Sequence, residues 1–174
     1  MGYYTDDMAQ EIKDMGVEAS VNPYYLWALA DKYSENGLGK ERAEYLVRVN
    51  SLVKRDIPVS FHSDFSMAPM EPLTLAWTAV NRVSSEKNAL SQNQRITVYD
   101  AMKAITIDAA RTLNLEKQIG SIAEGKRANF VILNENPFSV DPMDIKDIEV
   151  LATVFEGDFN IITSNNLKAA RTKK

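Results

Sequence analysis

The sequence predicts an α/β fold that is followed, from about residue 116, by a β-rich segment. Short apolar runs at 17–21 and 57–61 alternate with stretches whose apolar residues recur at helical spacing. Beyond Ile119, glycines separate short β-branched runs, a pattern typical of antiparallel hairpins. Apolar residues make up 45% of the 174 residues and charged residues 25%, the composition of a globular protein.

The first elements have clear local signals. Thr5 or Asp6 can cap a helix, and Gly16 supplies the left-handed residue that ends it. Asn22-Pro23 ends the first apolar run, and glycines at 37 and 39 break the chain again. The elements predicted in this part are a strand over 17–21, helices over 24–30 and 40–55, and a strand over 57–61.

A second group of helices follows the strand at 57–61. Pro72 opens a helix that reaches about Val83, and a polar loop covers 84–95. Thr97 and Asp100 resemble a capping box that starts a helical region reaching about Leu115, with a kink near Thr106. The predicted later strands are 130–133, 148–155 and 159–162, with a hairpin turn at Glu156-Gly157-Asp158.

The first 115 residues contain only two predicted strands. Short strands between long helices indicate parallel strands that helices cover. Two strands can neither close a barrel nor form a stable open sheet, and a complete barrel of this kind takes about 250 residues. We therefore expect that this chain lacks partner strands, unless the strand assignment is wrong.

Charge and composition exclude several functions. The net charge is −4 and the basic residues are scattered, which is unlike a nucleic-acid-binding protein. The absence of cysteine excludes disulfides and thiolate zinc sites, and no apolar run is long enough to span a membrane. No signal peptide is recognisable, and the composition is compatible with either a cytoplasmic or a periplasmic location.

The most informative motif is His62-Ser63-Asp64, at the end of the second predicted strand. Because strand side chains alternate, His62 and Asp64 point to the same face. Ligands of α/β proteins bind at this end of parallel strands, where an aspartate can hold a divalent cation or accept a proton from water. The alternative is a turn or helix-capping aspartate.

His62 is the only histidine of the chain. A zinc site takes about three or four protein ligands, and one histidine with one aspartate does not supply them. We therefore expect no complete catalytic metal site within this sequence, and His62 is either a ligand or a pocket-lining, hydrogen-bonded residue.

The motifs resemble those of the amidohydrolase superfamily, in the branch that includes N-substituted formamide deformylase. The resemblance covers residues from about 8 to 162 and lies in the order and spacing of several segments rather than in any one of them. These segments are 16–23, 39–43, 57–64, 68–73, 79–82, 106–110 and 119–133.

The resemblance implies a (β/α)8 barrel with a small β-sandwich that both ends of the complete polypeptide build. Residues 1–115 would be the last part of the barrel, with its final two strands, and 116–164 part of the sandwich. Residues 165–174 would be a polar, disordered tail. The histidines and the rest of the barrel that the family needs have no counterpart in this sequence.

The resemblance also implies chemistry. Asp64 matches the last-strand aspartate that binds a divalent metal, zinc being our first expectation, and shuttles a proton. The complete enzyme would hydrolyse non-peptide carbon–nitrogen bonds, amide or formamide-like, of a small molecule. We expect the isolated chain to be inactive. The alternative is a non-catalytic regulatory or assembly module that retains the scaffold.

Other residues are weaker candidates. Arg42 and Arg82 match family positions and could face a substrate or hold a loop, while Tyr24 and His62 could line a substrate pocket. Asn129 stands where the family usually has aspartate, which affects a turn or ion pair of the sandwich. The exposed edge of an incomplete barrel could also pair two copies of the chain.

Overall fold

A computed structural model describes residues 2–162. Thr5 caps α1 (Asp6–Asp14), its hydroxyl accepting a hydrogen bond from the Met8 amide at 3.3 Å. Gly16 follows at φ 65°, so the predicted cap and stop of this helix are both confirmed. The strand β1 (Ala19–Val21) is shorter than the predicted run, and α2 (Tyr24–Glu35) is longer than the predicted 24–30.

The single helix that we predicted over 40–55 is wrong. Two short helices, α3 (Lys40–Glu44) and α4 (Val49–Val53), flank a turn in which Val47 has φ 50°. The guanidinium of Arg82 binds the carbonyl oxygens of Glu44, Leu46 and Val47. These carbonyls face Arg82 and are not available to continue an α-helix, which is why the chain breaks here.

The strand β2 (Val59–Phe61) pairs in parallel with β1, with Ala19 opposite Val59 and Val21 opposite Phe61. Parallel pairing of the two predicted strands is therefore confirmed. One face of this pair is apolar and packs on the main core. Ser20, Ser60 and His62 alternate with those apolar residues and so belong to the opposite face.

The helices after β2 cover the apolar face of the strand pair. Thr97 caps α6 by accepting a hydrogen bond from the Asp100 amide at 3.1 Å, as predicted. The kink predicted near Thr106 is a full break between α6 and α7. The elements of this part are α5 (Pro72–Asn81), a 3₁₀ turn (Gln92–Gln94), α6 (Val98–Ala104) and α7 (Ile107–Thr112).

The β-rich segment forms a separate three-stranded antiparallel sheet of order β3–β4–β5. The hairpin predicted at 156–158 is confirmed, since Phe155 pairs with Asp158 around Glu156 and Gly157, which have φ 52° and 95°. Its elements are β3 (Phe130–Leu133), a 3₁₀ helix (Pro142–Asp147), β4 (Val150–Phe155) and β5 (Asp158–Ile161).

Two hydrogen bonds join this sheet region to α5. Trp77 Nε1 donates to the Met143 carbonyl at 2.8 Å and Asn81 Nδ2 to the Pro142 carbonyl at 2.7 Å. The α/β class is confirmed, whereas barrel closure and the division near residue 116 stay predictions. The predicted tail, 165–174, lies outside the described residues. Between residues 2 and 162, every helix is too short or too polar to cross a membrane.

Candidate active site

The His62-Ser63-Asp64 motif continues β2 at its carboxyl end. The His62 amide donates to the Val21 carbonyl at 3.0 Å, which extends the strand pairing by one residue. Asp64 then adopts a left-handed backbone, φ 57°, and its carbonyl accepts from the Met67 amide at 2.8 Å. Aspartate tolerates this conformation better than most residues. The turn leaves the Asp64 side chain exposed at the end of the strand.

The imidazole of His62 is fixed by the neighbouring strand. Its Nδ1 lies 2.8 Å from the Ser20 hydroxyl of β1, a hydrogen-bonding distance. Burial lowers the pKa of His62 below its usual 6.5, and the Asp64 carboxylate acts in the opposite direction. The ring is therefore predominantly neutral at pH 7, with one nitrogen a donor and the other an acceptor.

A cleft of about 520 Å³ lies beside the motif, and both His62 and Asp64 line it. Its walls come from β2, the loop after Asp64, the start of α5, and the α6–α7 junction. Most of the lining is apolar, and Glu71 is the third ionisable residue in it. The apolar wall includes Phe61, Phe65, Met70, Leu75 and Ile105.

The described residues do not by themselves fit a metal ion. The Asp64 carboxylate and the His62 imidazole are suitable ligand types, and the two adjoin one cleft. Within residues 2–162, however, no group of three or more His, Cys, Asp or Glu side chains is placed to hold a metal. The incomplete ligand set expected from the single histidine stays a prediction.

The other predicted pocket residues lie elsewhere. Arg82 is fully buried and donates to the carbonyls of Glu44, Leu46, Val47 and Leu90, so it holds a loop and does not face the cleft. Arg42 is exposed, and its Nε donates to the Leu38 carbonyl at 2.9 Å. Tyr24 begins α2, and the centroid of its ring lies 5.0 Å from the ring centroid of Trp27. None of these three residues lines the cleft beside Asp64.

Sequence reasoning assigned no role to Ser20, although it contacts His62. Alternation along β1 places Ser20 opposite the apolar face, but only the register of β1 against β2 brings it to His62, 42 positions later. Glu71 was also missed as a cleft residue, because it lies in a loop whose course no local pattern determines.

The chain is similar in sequence to known proteins. A family model described as the amidohydrolase family matches residues 1–159. The chain is 27% identical over 149 residues to N-substituted formamide deformylase of Arthrobacter pascens, a match covering 85% of this chain and 27% of that protein. It is 35% identical over 153 residues to the protein LONG AFTER FAR-RED 3 of Arabidopsis thaliana, covering 86% and 26%. The chain thus spans about a quarter of the length of these relatives.

The similarity extends to a solved structure. The crystal structure of an uncharacterized metal-dependent hydrolase from Pyrococcus horikoshii superimposes with a TM-score of 0.68 and 27% sequence identity. The superposition covers 81% of this chain and 29% of that chain. The similarity therefore includes the arrangement of the elements as well as the motifs.

Proposed function

The chain belongs to the amidohydrolase family, as its motifs predicted, and from this we propose that it supplies one part of the active site of a metal-dependent hydrolase. The proposed reaction is hydrolysis of a non-peptide carbon–nitrogen bond, amide or formamide-like, in a small molecule. The name of the Arthrobacter pascens relative supports this bond type. The name of the Pyrococcus horikoshii neighbour supports the use of a metal.

One observation carries the proposal: Asp64 is exposed at the carboxyl end of a parallel strand, beside a cleft that His62 also lines. A carboxylate there can accept a proton from water as the water attacks the substrate carbonyl. It can then pass that proton to the leaving nitrogen, so that one residue acts as general base and then as general acid. In the complete protein, Asp64 would be one of the residues that hold a divalent metal such as zinc, and the metal would supply a Lewis acid for the carbonyl.

The strand pair supports an extension of the fold beyond the described residues. The Pro58 carbonyl and the His62 amide both bond to β1, so the backbone groups of Val59 and Phe61 point to the other edge of β2. Within residues 2–162, the sheet consists of β1 and β2 alone. We propose that these are the last two strands of a (β/α)8 barrel, whose other strands pair with both free edges and bring the missing ligands.

Zinc titration of the 174-residue chain tests the incomplete ligand set. We expect less than one tightly bound zinc per chain, because Asp64 is the one ligand that the resemblance assigns and a zinc site takes about three or four protein ligands. Equilibrium dialysis with metal analysis would measure the stoichiometry, and the Asp64→Asn variant would show whether the weak binding involves this site. One tightly held zinc per chain would contradict the incomplete site.

Hydrolysis tests the proposed reaction. The 174-residue chain, with and without zinc, and the longest polypeptide encoded around it would each be assayed for amine release from an N-alkylformamide. Activity is expected only in the longer polypeptide and is expected to require Asp64. A longer polypeptide that carries the remaining ligands, holds zinc and releases no amine from formamides or simple amides would argue against the reaction.

A second candidate is a non-catalytic regulatory or assembly module on the same scaffold. The lack of a three-ligand group within residues 2–162 is compatible with both candidates, because the enzyme would draw its other ligands from the rest of the barrel. The coding sequence upstream of Met1 discriminates between the two. A His-x-His motif there favours the enzyme, whereas a scaffold without that motif favours the regulatory module.

A further inference from the structure

We propose that Ser20 is a positioning residue that holds His62 in the tautomer with its proton on Nε2, so that His62 donates a hydrogen bond into the cleft beside Asp64. The proposal concerns the imidazole itself and needs neither a metal nor a substrate. It rests on the proposed function only for the group that would receive this hydrogen bond, the carbonyl oxygen of the substrate.

Two contacts fix His62. Its amide is bonded to the Val21 carbonyl at 3.0 Å, which sets the backbone, and its Nδ1 lies 2.8 Å from the Ser20 hydroxyl, which sets the rotation of the ring. With Nδ1 engaged, Nε2 is the ring nitrogen that remains for a ligand. Among the described residues, no hydrogen-bond partner of Nε2 is found, and His62 lines the cleft.

The proposed reaction would make use of the Nε2–H form. A neutral imidazole carries one proton, so if the Ser20 hydroxyl donates to Nδ1, that proton resides on Nε2. Attack on an amide or formamide carbonyl places negative charge on its oxygen, and a fixed donor stabilises that charge. Asp64, an acceptor when ionised, cannot provide this donor. Asp64 would thus transfer the proton, and His62 would stabilise the negative charge on the carbonyl oxygen.

The single histidine makes this testable by NMR without assignment of the imidazole signals. The ¹⁵N shifts of His62 in the 174-residue chain, recorded above its pKa without metal, report which nitrogen is protonated. We expect predominantly the Nε2–H form in the wild type. In Ser20→Ala we expect the two nitrogen shifts to move towards each other as the forms mix. Ser60→Ala is the matched control, since Ser60 pairs with Ser20 in the strand register and has no described bond to His62.

Two isosteric substitutions at Ser20 distinguish the effect of the hydroxyl from the effect of side-chain packing. Ser20→Thr keeps the hydroxyl and Ser20→Val removes it, and both β-branched residues suit a strand. We expect Thr to retain the wild-type shifts and Val to reproduce the Ala result. A predominant Nδ1–H form in the wild type, or unchanged shifts in Ser20→Val, would overturn the proposal. Both outcomes are independent of hydrolysis, so the failure of this inference is distinguishable from failure of the proposed reaction.

Discussion

Arg82 Nη1 donates a hydrogen bond to the Val47 carbonyl at 2.8 Å, across 35 positions of the chain. Val47 has a left-handed backbone, and its amide donates to the Gly2 carbonyl at 2.8 Å. The contact therefore joins the end of α5, the turn between α3 and α4, and the N-terminal segment. Burial lowers the pKa of Arg82 to about 10, which leaves the guanidinium charged at pH 7.

Replacing Arg82 is expected to be severely destabilising. Arg82→Met leaves the four bound carbonyls without this donor, and we expect a loss of at least about 3 kcal/mol in the free energy of unfolding. Urea unfolding followed by circular dichroism measures it. Arg42→Met, at the exposed arginine with one such bond, is the control and is expected to cost less than about 1 kcal/mol. Equal losses in the two variants would contradict the structural role of Arg82.

Asp64→Asn is expected to remove activity without affecting the fold. Asparagine also tolerates the left-handed backbone at φ 57°. In the longer polypeptide, where we propose that hydrolysis takes place, kcat should fall roughly 10²–10⁴-fold, the usual contribution of a general acid–base group. Stability should change by less than about 0.5 kcal/mol.

Asp56→Asn is the matched control for Asp64. Asp56 is likewise exposed and left-handed, with φ 53°, but lies before β2, away from the cleft. Steady-state kinetics of both variants should show the loss at Asp64 alone. Equal activity of the Asp64→Asn variant and the wild type would remove Asp64 from the mechanism.

Replacing Gly120 is expected to be destabilising, because its backbone lies close to α7. A Cβ at this position would lie 2.6 Å from Ala110 Cβ and 2.9 Å from Ile107 Cα. Gly125 has a similar backbone, φ 83° against 88°, with open space around it. Thermal unfolding should therefore show that Gly120→Ala costs about 1–3 kcal/mol more than Gly125→Ala. Similar losses of stability in the two variants would mean that backbone strain, and not the contact with α7, causes the loss in each.

The Asn129 side chain holds the β4–β5 hairpin. Its Oδ1 accepts a hydrogen bond from the Glu156 amide at 2.7 Å, and an aspartate carboxylate could accept the same bond. Asn129→Asp keeps an acceptor and should change stability by less than about 0.5 kcal/mol. Asn129→Ala should cost about 1 kcal/mol. Urea unfolding compares the two, and a larger loss for Asp than for Ala would contradict this role.

The Asp6–Arg55 pair should make stability depend on pH in the acid range. The Arg55 hydrogen bond lowers the pKa of Asp6 below 3.8, so the folded state favours the ionised form. The resulting stabilisation is fully present above the unfolded-state pKa and is lost as pH falls through the folded-state value. In urea unfolding, the stability difference between wild type and Asp6→Asn should therefore shrink below about pH 4. Asp7→Asn, without a described ion pair, should show less change.

Local signals were sufficient for much of the fold. The caps at Thr5 and Thr97 and the turn at Glu156-Gly157 involve residues within a few positions of each other, so the sequence predicted them correctly. Alternation also predicts that His62 and Asp64 share a face. The structure places both beside one cleft, although β2 ends at Phe61 and Asp64 has a left-handed backbone.

The features that the sequence did not predict depend on contacts between residues that are far apart along the chain. The helix predicted over 40–55 is divided because Arg82 binds its carbonyls, and no periodicity within that segment reports this. Ser20 reaches His62 only through the register of the strand pair. The sequence by itself thus determined where the capped helices α1 and α6 begin and where the β4–β5 hairpin turns. The tertiary structure decided which polar groups meet, because a hydrogen bond depends on distance in space and not on separation along the chain.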